Sequence, residues 1–205
     1  MQLPPEAFRR IDESSDHDFY QVPRLVTHID EAAIAAVTQL YREYLPNGGD
    51  LLDLMSSWVS HLPEEVTYGR VVGLGMNEKE LAQNPRLSEW VVQDLNAEPT
   101  LPFADASFDG AGCCVSIDYL TRPVEVLRDL ARVMRPGAPV VITFSNRCFP
   151  TKAVAIWHSL DDAGHLKLVQ HYLLAAGGWT DLEGLDRSDP HGHDPLYAVV
   201  ARRAE

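Results

Sequence analysis

Residues 123–144 run PVEVLRDLARVMRPGAPVVITF, and their reading decides the fold. Val124, Leu127, Ala131 and Met134 recur at helical spacing, which predicts an amphipathic helix over 123–134. Pro123 sits in its first turn, where a missing N–H costs nothing, and Arg135-Pro136-Gly137 stops it. The chain then enters a β-branched run, Val140-Val141-Ile142-Thr143, which predicts a buried strand over 139–144. Working outward, further strands are expected at 51–54, 70–74, 89–93, 110–117, 179–184 and 196–201. Strands alternating with helices from residue 50 onward predict an α/β class: a doubly wound, mostly parallel, seven-stranded sheet. Upstream, Ile34, Val37, Tyr41 and Tyr44 mark a second amphipathic helix behind Asp30, a residue suited to its N-cap. The first 20 residues carry no such pattern and are expected to be mobile unless something pins them.

The chain has 205 residues, 45% of them hydrophobic, enough for one sizeable core and short for two. A single domain over 1–205 is expected, with a helical cap at 1–49 and a sheet core at 50–201. The formal charge of −13 argues against nucleic acid, whose phosphates are bound by lysine and arginine displacing counterions. A small molecule is the expected partner, ahead of a protein. No apolar run approaches the roughly 20 residues of a spanning helix, so no membrane partner is expected. Three cysteines, two of them adjacent at Cys113 and Cys114, cannot make a secreted disulfide framework, and no charged-then-apolar leader is read. The expected location is cytoplasmic.

Three further segments carry a family resemblance: Gln93-Asp94-Leu95-Asn96, then residues 101–109 (LPFADASFD), then residues 131–137 (ARVMRPG). An acidic residue ending the third strand, a Leu-Pro-Phe loop before Ser-Phe-Asp, and Arg-Val-x-x-Pro-Gly at this distance resemble the class I S-adenosylmethionine-dependent methyltransferases, of the methyltransferase type 11-like kind. The resemblance spans roughly residues 50–201. It implies a Rossmann-like methyltransferase fold with an antiparallel last strand beside the sixth. It also implies S-adenosyl-L-methionine as cofactor and methyl transfer as the activity.

Two departures mark a divergent branch. The family's first strand is followed by a glycine-rich loop that lets backbone N–H groups approach the cofactor. Here Leu51-Leu52-Asp53-Leu54 is followed by Met55-Ser56-Ser57-Trp58, with no glycine. Asp53 keeps the family's acidic position, and the hydroxyls of Ser56 and Ser57 are expected to offer hydrogen bonds in place of the loop. At the end of the second strand, where such sheets carry a ribose-binding carboxylate, the chain reads Gly75-Met76-Asn77. Losing a charged hydrogen bond of about 1.5 to 3 kcal/mol weakens binding roughly ten- to a hundredfold. Gly75→Asp is expected to restore that group without harm. The resemblance places Asp53, Met55, Ser56, Ser57, Gly75, Met76, Asn77, Asp94 and Leu95 at the cofactor. Asn77 also stands three residues before Glu80, the spacing of a capping box.

For the acceptor, Tyr20, Trp58, Tyr119 and Arg147 are the expected lining. The loop after the fifth strand, residues 145–152 (SNRCFPTK), gathers Arg147 and Lys152 in an otherwise acidic chain, which suits an anionic small acceptor. Residues 19–28 are expected either to fold over the carboxyl ends of the strands, bringing Tyr20 and Arg24 to the cofactor, or to serve as a packing arm. His17, His28 and His61 are candidate bases, although no catalytic residue is fixed, because an activated methyl group makes a base optional. His191-Gly192-His193-Asp194 lacks further ligands at metal spacing, so no metal is expected. The leading expectation is methyl transfer to a small acceptor. The alternative is a non-catalytic or regulatory protein that retains the fold with a degraded pocket.

Overall fold

In a computed structural model, residues 3–205 are described. Seven strands form one sheet in the order β3-β2-β1-β4-β5-β7-β6. They are β1 (Leu51–Ser56), β2 (Val71–Gly75), β3 (Glu89–Val92), β4 (Gly110–Cys114), β5 (Pro139–Phe144), β6 (Trp179–Asp186) and β7 (Tyr197–Arg203). The first five run parallel, and β7 lies antiparallel between β5 and β6, as expected for the last strand. The helices are α1 (Asp16–Tyr20), α2 (Glu31–Tyr44), α3 (Glu78–Leu81), α4 (Pro123–Val133), α5 (Ala155–His158) and α6 (Asp162–Ala176). No helix among the described residues is long and apolar enough to cross a membrane.

Side chains alternate across the pleat, and so do the two cores. Leu52, Leu54, Val140 and Ile142 point to the face covered by α4 and α6, where Leu127, Leu130, Val169 and Leu173 meet them. Leu51, Val71, Val141 and Val200 point the other way, against Ala33, Val37, Leu40 and Tyr41 of α2. Cys113 packs in the first core and Cys114 beside the second, as their adjacency in one strand requires. Asp30 caps α2, accepting a hydrogen bond from the Ala33 N–H at 3.0 Å.

Several boundaries differ from the sequence reading. The strand expected at 110–117 ends at Cys114, because Val115 turns left-handed (φ 43°) and Ile117–Tyr119 coil into a 3-10 turn. β1 continues to Ser56 rather than stopping at Leu54, through a bulge at Met55. α4 ends one residue early, with Met134 extended. The segment around Asp16 is held as well. Asp16 is buried; Arg10 Nη1 donates to both its carboxylate oxygens at 2.7 and 2.8 Å, Asn96 donates to it at 2.8 Å and the Lys152 ammonium lies at 3.2 Å. These contacts pin the arm to the turn after β3 and the loop after β5.

Candidate functional site

The order of the sheet reverses between β1 and β4, and open α/β sheets bind ligands at such a switch point, outside the carboxyl ends of the strands. A cavity of about 280 Å³ opens there, walled by the ends of β1, β2 and β4, the turn after β3 and residues of the N-terminal arm. Its floor is held in costly backbone geometry. Met55 (φ 58°), His61 (φ 53°) and Val115 (φ 43°) all line it in left-handed conformations, each costing on the order of 1 to 3 kcal/mol. For the β-branched Val115 this is a marked outlier. Among the described residues, three of the five non-glycine positions with positive φ therefore stand at one cavity.

The turn at Met55 makes the path a glycine usually permits. It carries Ser56 onto β2, where a Cβ on Gly75 would stand 2.2 Å from the Ser56 carbonyl oxygen. Gly75 is thus a glycine for packing between strands, and the expectation that Gly75→Asp is harmless is overturned by that contact.

Asp53 points in from β1. Ser56 Oγ and Ser60 Oγ each donate to its Oδ2 at 2.6 Å, and burial pushes its carboxyl up to about 6 against the pull of those two bonds. Ser57 Oγ donates to Glu80 Oε2 at 2.7 Å. Both serine hydroxyl protons are therefore spent on carboxylates, and the expected donation from them to a ligand is not available. Asp94 lines the cavity while its Oδ1 accepts from the N–H groups of Asn96 and Ala97 at 2.9 and 3.3 Å, so it also caps that turn. Met76 and Leu95 add apolar wall. Asn77 does not belong with them. Its Oδ1 caps α3 through Lys79 and Glu80, and its amide donates to the carbonyls of Tyr20 and Gln21 at 2.8 and 3.2 Å.

Residues 20–29 run along the cavity as a strap, from which Tyr20, Arg24, Val26 and His28 line it. Trp58 Nε1 donates to the Val26 carbonyl at 3.0 Å, and the Arg24 guanidinium lies 4.6 Å from the Phe19 ring and 5.4 Å from Phe149. Tyr119 is buried, its hydroxyl accepting from the Phe149 N–H at 2.8 Å. Arg147 lines the cavity but is 61% exposed and pairs with Asp194 at 2.7 Å. The expectation for Lys152 fails: the residue is fully buried, with Asp12 at 3.3 Å and Asp16 at 3.2 Å, because the arm closes over it. His28, an exposed residue, and His61 face the cavity, and desolvation there lowers both from the ordinary histidine value. His17 is exposed and lies outside it. Sequence reasoning missed Asp16 and Glu80 as wall residues, since neither carries a local signal of it, whereas Phe149 lies in the loop after β5 that was expected at the acceptor side.

Arg10 and Lys152 neutralise Asp16, and both cavity-lining guanidiniums, Arg24 and Arg147, are engaged with protein. That leaves Asp53, Glu80 and Asp94 beside apolar wall, an acceptor set suited to a ligand that joins positive charge to a flat apolar body. S-adenosylmethionine, with its sulfonium, ammonium and adenine, fits that chemistry.

A family model described as a methyltransferase domain matches residues 56–142, from the end of β1 into β5. The chain is 27% identical over 179 residues to the biotin biosynthesis bifunctional protein BioHC of Cellvibrio japonicus, covering 75% of this chain and 35% of that protein. It is 33% identical over 84 residues to the ubiquinone/menaquinone biosynthesis C-methyltransferase UbiE of Roseobacter denitrificans, covering 37% and 32%. The matched stretches span about a third of the length of these curated relatives. Among solved structures, the [4+2]-cyclase SpnF superposes with a TM-score of 0.64 at 15% identity, covering 89% of each chain. An S-adenosylmethionine-dependent methyltransferase from Mesorhizobium loti does so at 0.56 and 17%, covering 82% of this chain and 98% of that one. At these identities the structures speak for the fold alone. Residues 56–142 match the methyltransferase domain, and the strand order with its switch-point cavity is that of the class I S-adenosylmethionine-dependent methyltransferase fold.

Proposed function

We propose that this chain transfers a methyl group from S-adenosylmethionine to a small acceptor held beneath the strap. The observation that carries the reading is one cavity at the switch point that combines Asp53 and Asp94 with three strained backbone positions and an aromatic, histidine-bearing far wall. The cofactor half comprises Asp53, Met55, Ser56, Ser57, Gly75, Met76, Asp94 and Leu95. Tyr20, Trp58, Tyr119 and Arg147 form the acceptor half. When bound, the cofactor supplies a methyl group already activated by its sulfonium. The protein's task is to hold, align and keep water out. His28 and His61 are placed to take a proton from an acceptor hydroxyl or amine. An anionic acceptor would replace Asp194 as the partner of the Arg147 guanidinium. The acceptor is a small molecule, and the protein works in the cytoplasm.

Calorimetric titration with S-adenosylmethionine and S-adenosylhomocysteine tests the reading. Binding is expected, with Asp94→Ala weakening it by about 1 to 3 kcal/mol, and no heat from either ligand at millimolar concentration refutes it. Labelled methyl transfer to a panel of small carboxylates and phenols then tests turnover. A second reading, a binding or regulatory protein with a degraded pocket, is favoured by the two hydroxyls already occupying Asp53 Oδ2. Binding without turnover across the panel would select it, since a fold does not by itself imply a function.

A further inference from the structure

We propose that Glu80 is the carboxylate that receives the ribose hydroxyls of the cofactor, in place of a side chain that Gly75 cannot carry; this rests on the cofactor reading of the cavity. In sheets of this type an acidic residue at the end of the second strand meets the ribose. Here the end of β2 is closed to any side chain, because the first atom added to Gly75 would lie 2.2 Å from the Ser56 carbonyl oxygen. The next polar residue, Asn77, has its oxygen in the cap of α3 and its amide on two carbonyls of the arm.

Glu80 stands at the third position of α3, where a glutamate ordinarily reaches back to the N-cap N–H and completes a capping box. It turns into the cavity instead. Oε2 accepts from Ser57 Oγ and Oε1 accepts from the Arg24 backbone N–H, both at 2.7 Å. Each oxygen has two acceptor sites and has spent one, so the group is oriented, it forms no ion pair among the described residues, and it keeps capacity for two hydroxyl donors. The other cavity carboxylates stand elsewhere, whereas Glu80 follows directly on the end of β2. Asp16 is taken by Arg10, Lys152 and Asn96, Asp94 caps its turn, and Asp53 lies deep in β1 under two serine hydroxyls. Because the same carboxylate holds the strap at Arg24 and the loop after β1 at Ser57, a ribose bound there would be gripped by a group that also ties the mouth shut.

The test is a calorimetric cycle of wild type, Glu80→Gln and Glu80→Asp against S-adenosylhomocysteine and its analogue lacking both ribose hydroxyls. Glu80→Gln is expected to lose about tenfold or more in affinity for S-adenosylhomocysteine, the loss of a charged hydrogen bond, and nothing for the analogue, which wild type binds correspondingly more weakly. Equal losses for both ligands, or none, overturn the proposal by showing that Glu80 acts only on the strap or not at all. Should Glu80→Gln fail to fold, Glu80→Asp carries the same cycle, and a wild type that does not distinguish the two ligands overturns the proposal unaided. Absence of any binding of S-adenosylhomocysteine to wild type is a separate failure, that of the cofactor reading itself.

Discussion

Asp118 offers a measurable handle on the strain stored beside the cavity. It lies in the 3-10 turn that carries the chain from β4 to Tyr119, is 3% exposed, and its Oδ2 has no hydrogen-bond partner. Burial pushes its carboxyl up to about 8, from 3.8 in an unfolded chain. With the folded value raised, the native state holds a proton that the unfolded state releases. Stability is therefore untouched below about pH 4, falls as pH rises through the window from 4 to 8, and is flat above it. At about 1.36 kcal/mol per unit, the full penalty is roughly 5 to 6 kcal/mol, an upper bound that relaxation around the group will reduce. Asp118→Asn removes the ionisation and keeps the shape. Its amide adds a fixed cost of about 1 to 3 kcal/mol if left unpaired, which does not vary with pH, so the slope is diagnostic. Urea unfolding of both proteins by tryptophan fluorescence at pH 4.5, 6, 7.5 and 8.5 should show the variant gaining on wild type by at least ~2 kcal/mol across the series. Parallel pH profiles would show that the carboxyl ionises without penalty, and the reasoning would be wrong.

Three other outcomes follow from the same geometry. Affinity for S-adenosylmethionine should fall as pH drops below about 6, the value to which burial raises Asp53, by up to about tenfold per unit; titrations from pH 5 to 8 should show this in wild type and a flat profile in Asp53→Asn. Gly75→Ala forces a Cβ against backbone rather than a movable side chain, so a loss of about 3 kcal/mol is expected, and a melting temperature within a degree of wild type would contradict the β1–β2 contact. Asp16→Ala takes the carboxylate from the largely buried Arg10 and leaves the fully buried Lys152 with Asp12 alone, and should cost about 3 kcal/mol, whereas a loss below ~1 kcal/mol, typical of exposed pairs, would mean the arm is not anchored there.

The fold was legible because its signals are local and repeated. The helical period at 123–134, the Arg-Pro-Gly stop and the β-branched run that follows describe a strand and its crossover with no outside information, and α4 and β5 appear where that reading put them. The site was legible only as far as residues act where they stand. Asp53, Met76, Asp94 and Leu95 reach the cavity from the ends of strands, so their position in the strand order sufficed. Gly75 was misread because a missing side chain has two causes with one sequence signature, a lost ligand contact and a close backbone approach, and the second depends on a bulge 20 residues earlier at Met55 that no glycine announces. Lys152 looked available for an acceptor because its two acidic partners lie far back in an arm whose own pattern is weak.

Glu80 makes the same point at the level of one side chain. Its spacing from Asn77 is that of a capping box, and the helix does begin at Asn77, so the local inference about the element is right. The destination of the carboxylate is decided elsewhere. The Arg24 N–H, 56 residues earlier in the chain, and the Ser57 hydroxyl, 23 residues earlier, together offer it two bonds where the cap offers one. Two bonds of about 1 kcal/mol or more each outweigh a single capping contact, and the side chain leaves the helix for the cavity. Non-local competition of this kind carries functional groups away from where their neighbours in sequence would put them, which is why a strand-end rule found the wall residues at the ends of β1, β2 and β3 and could not find this one.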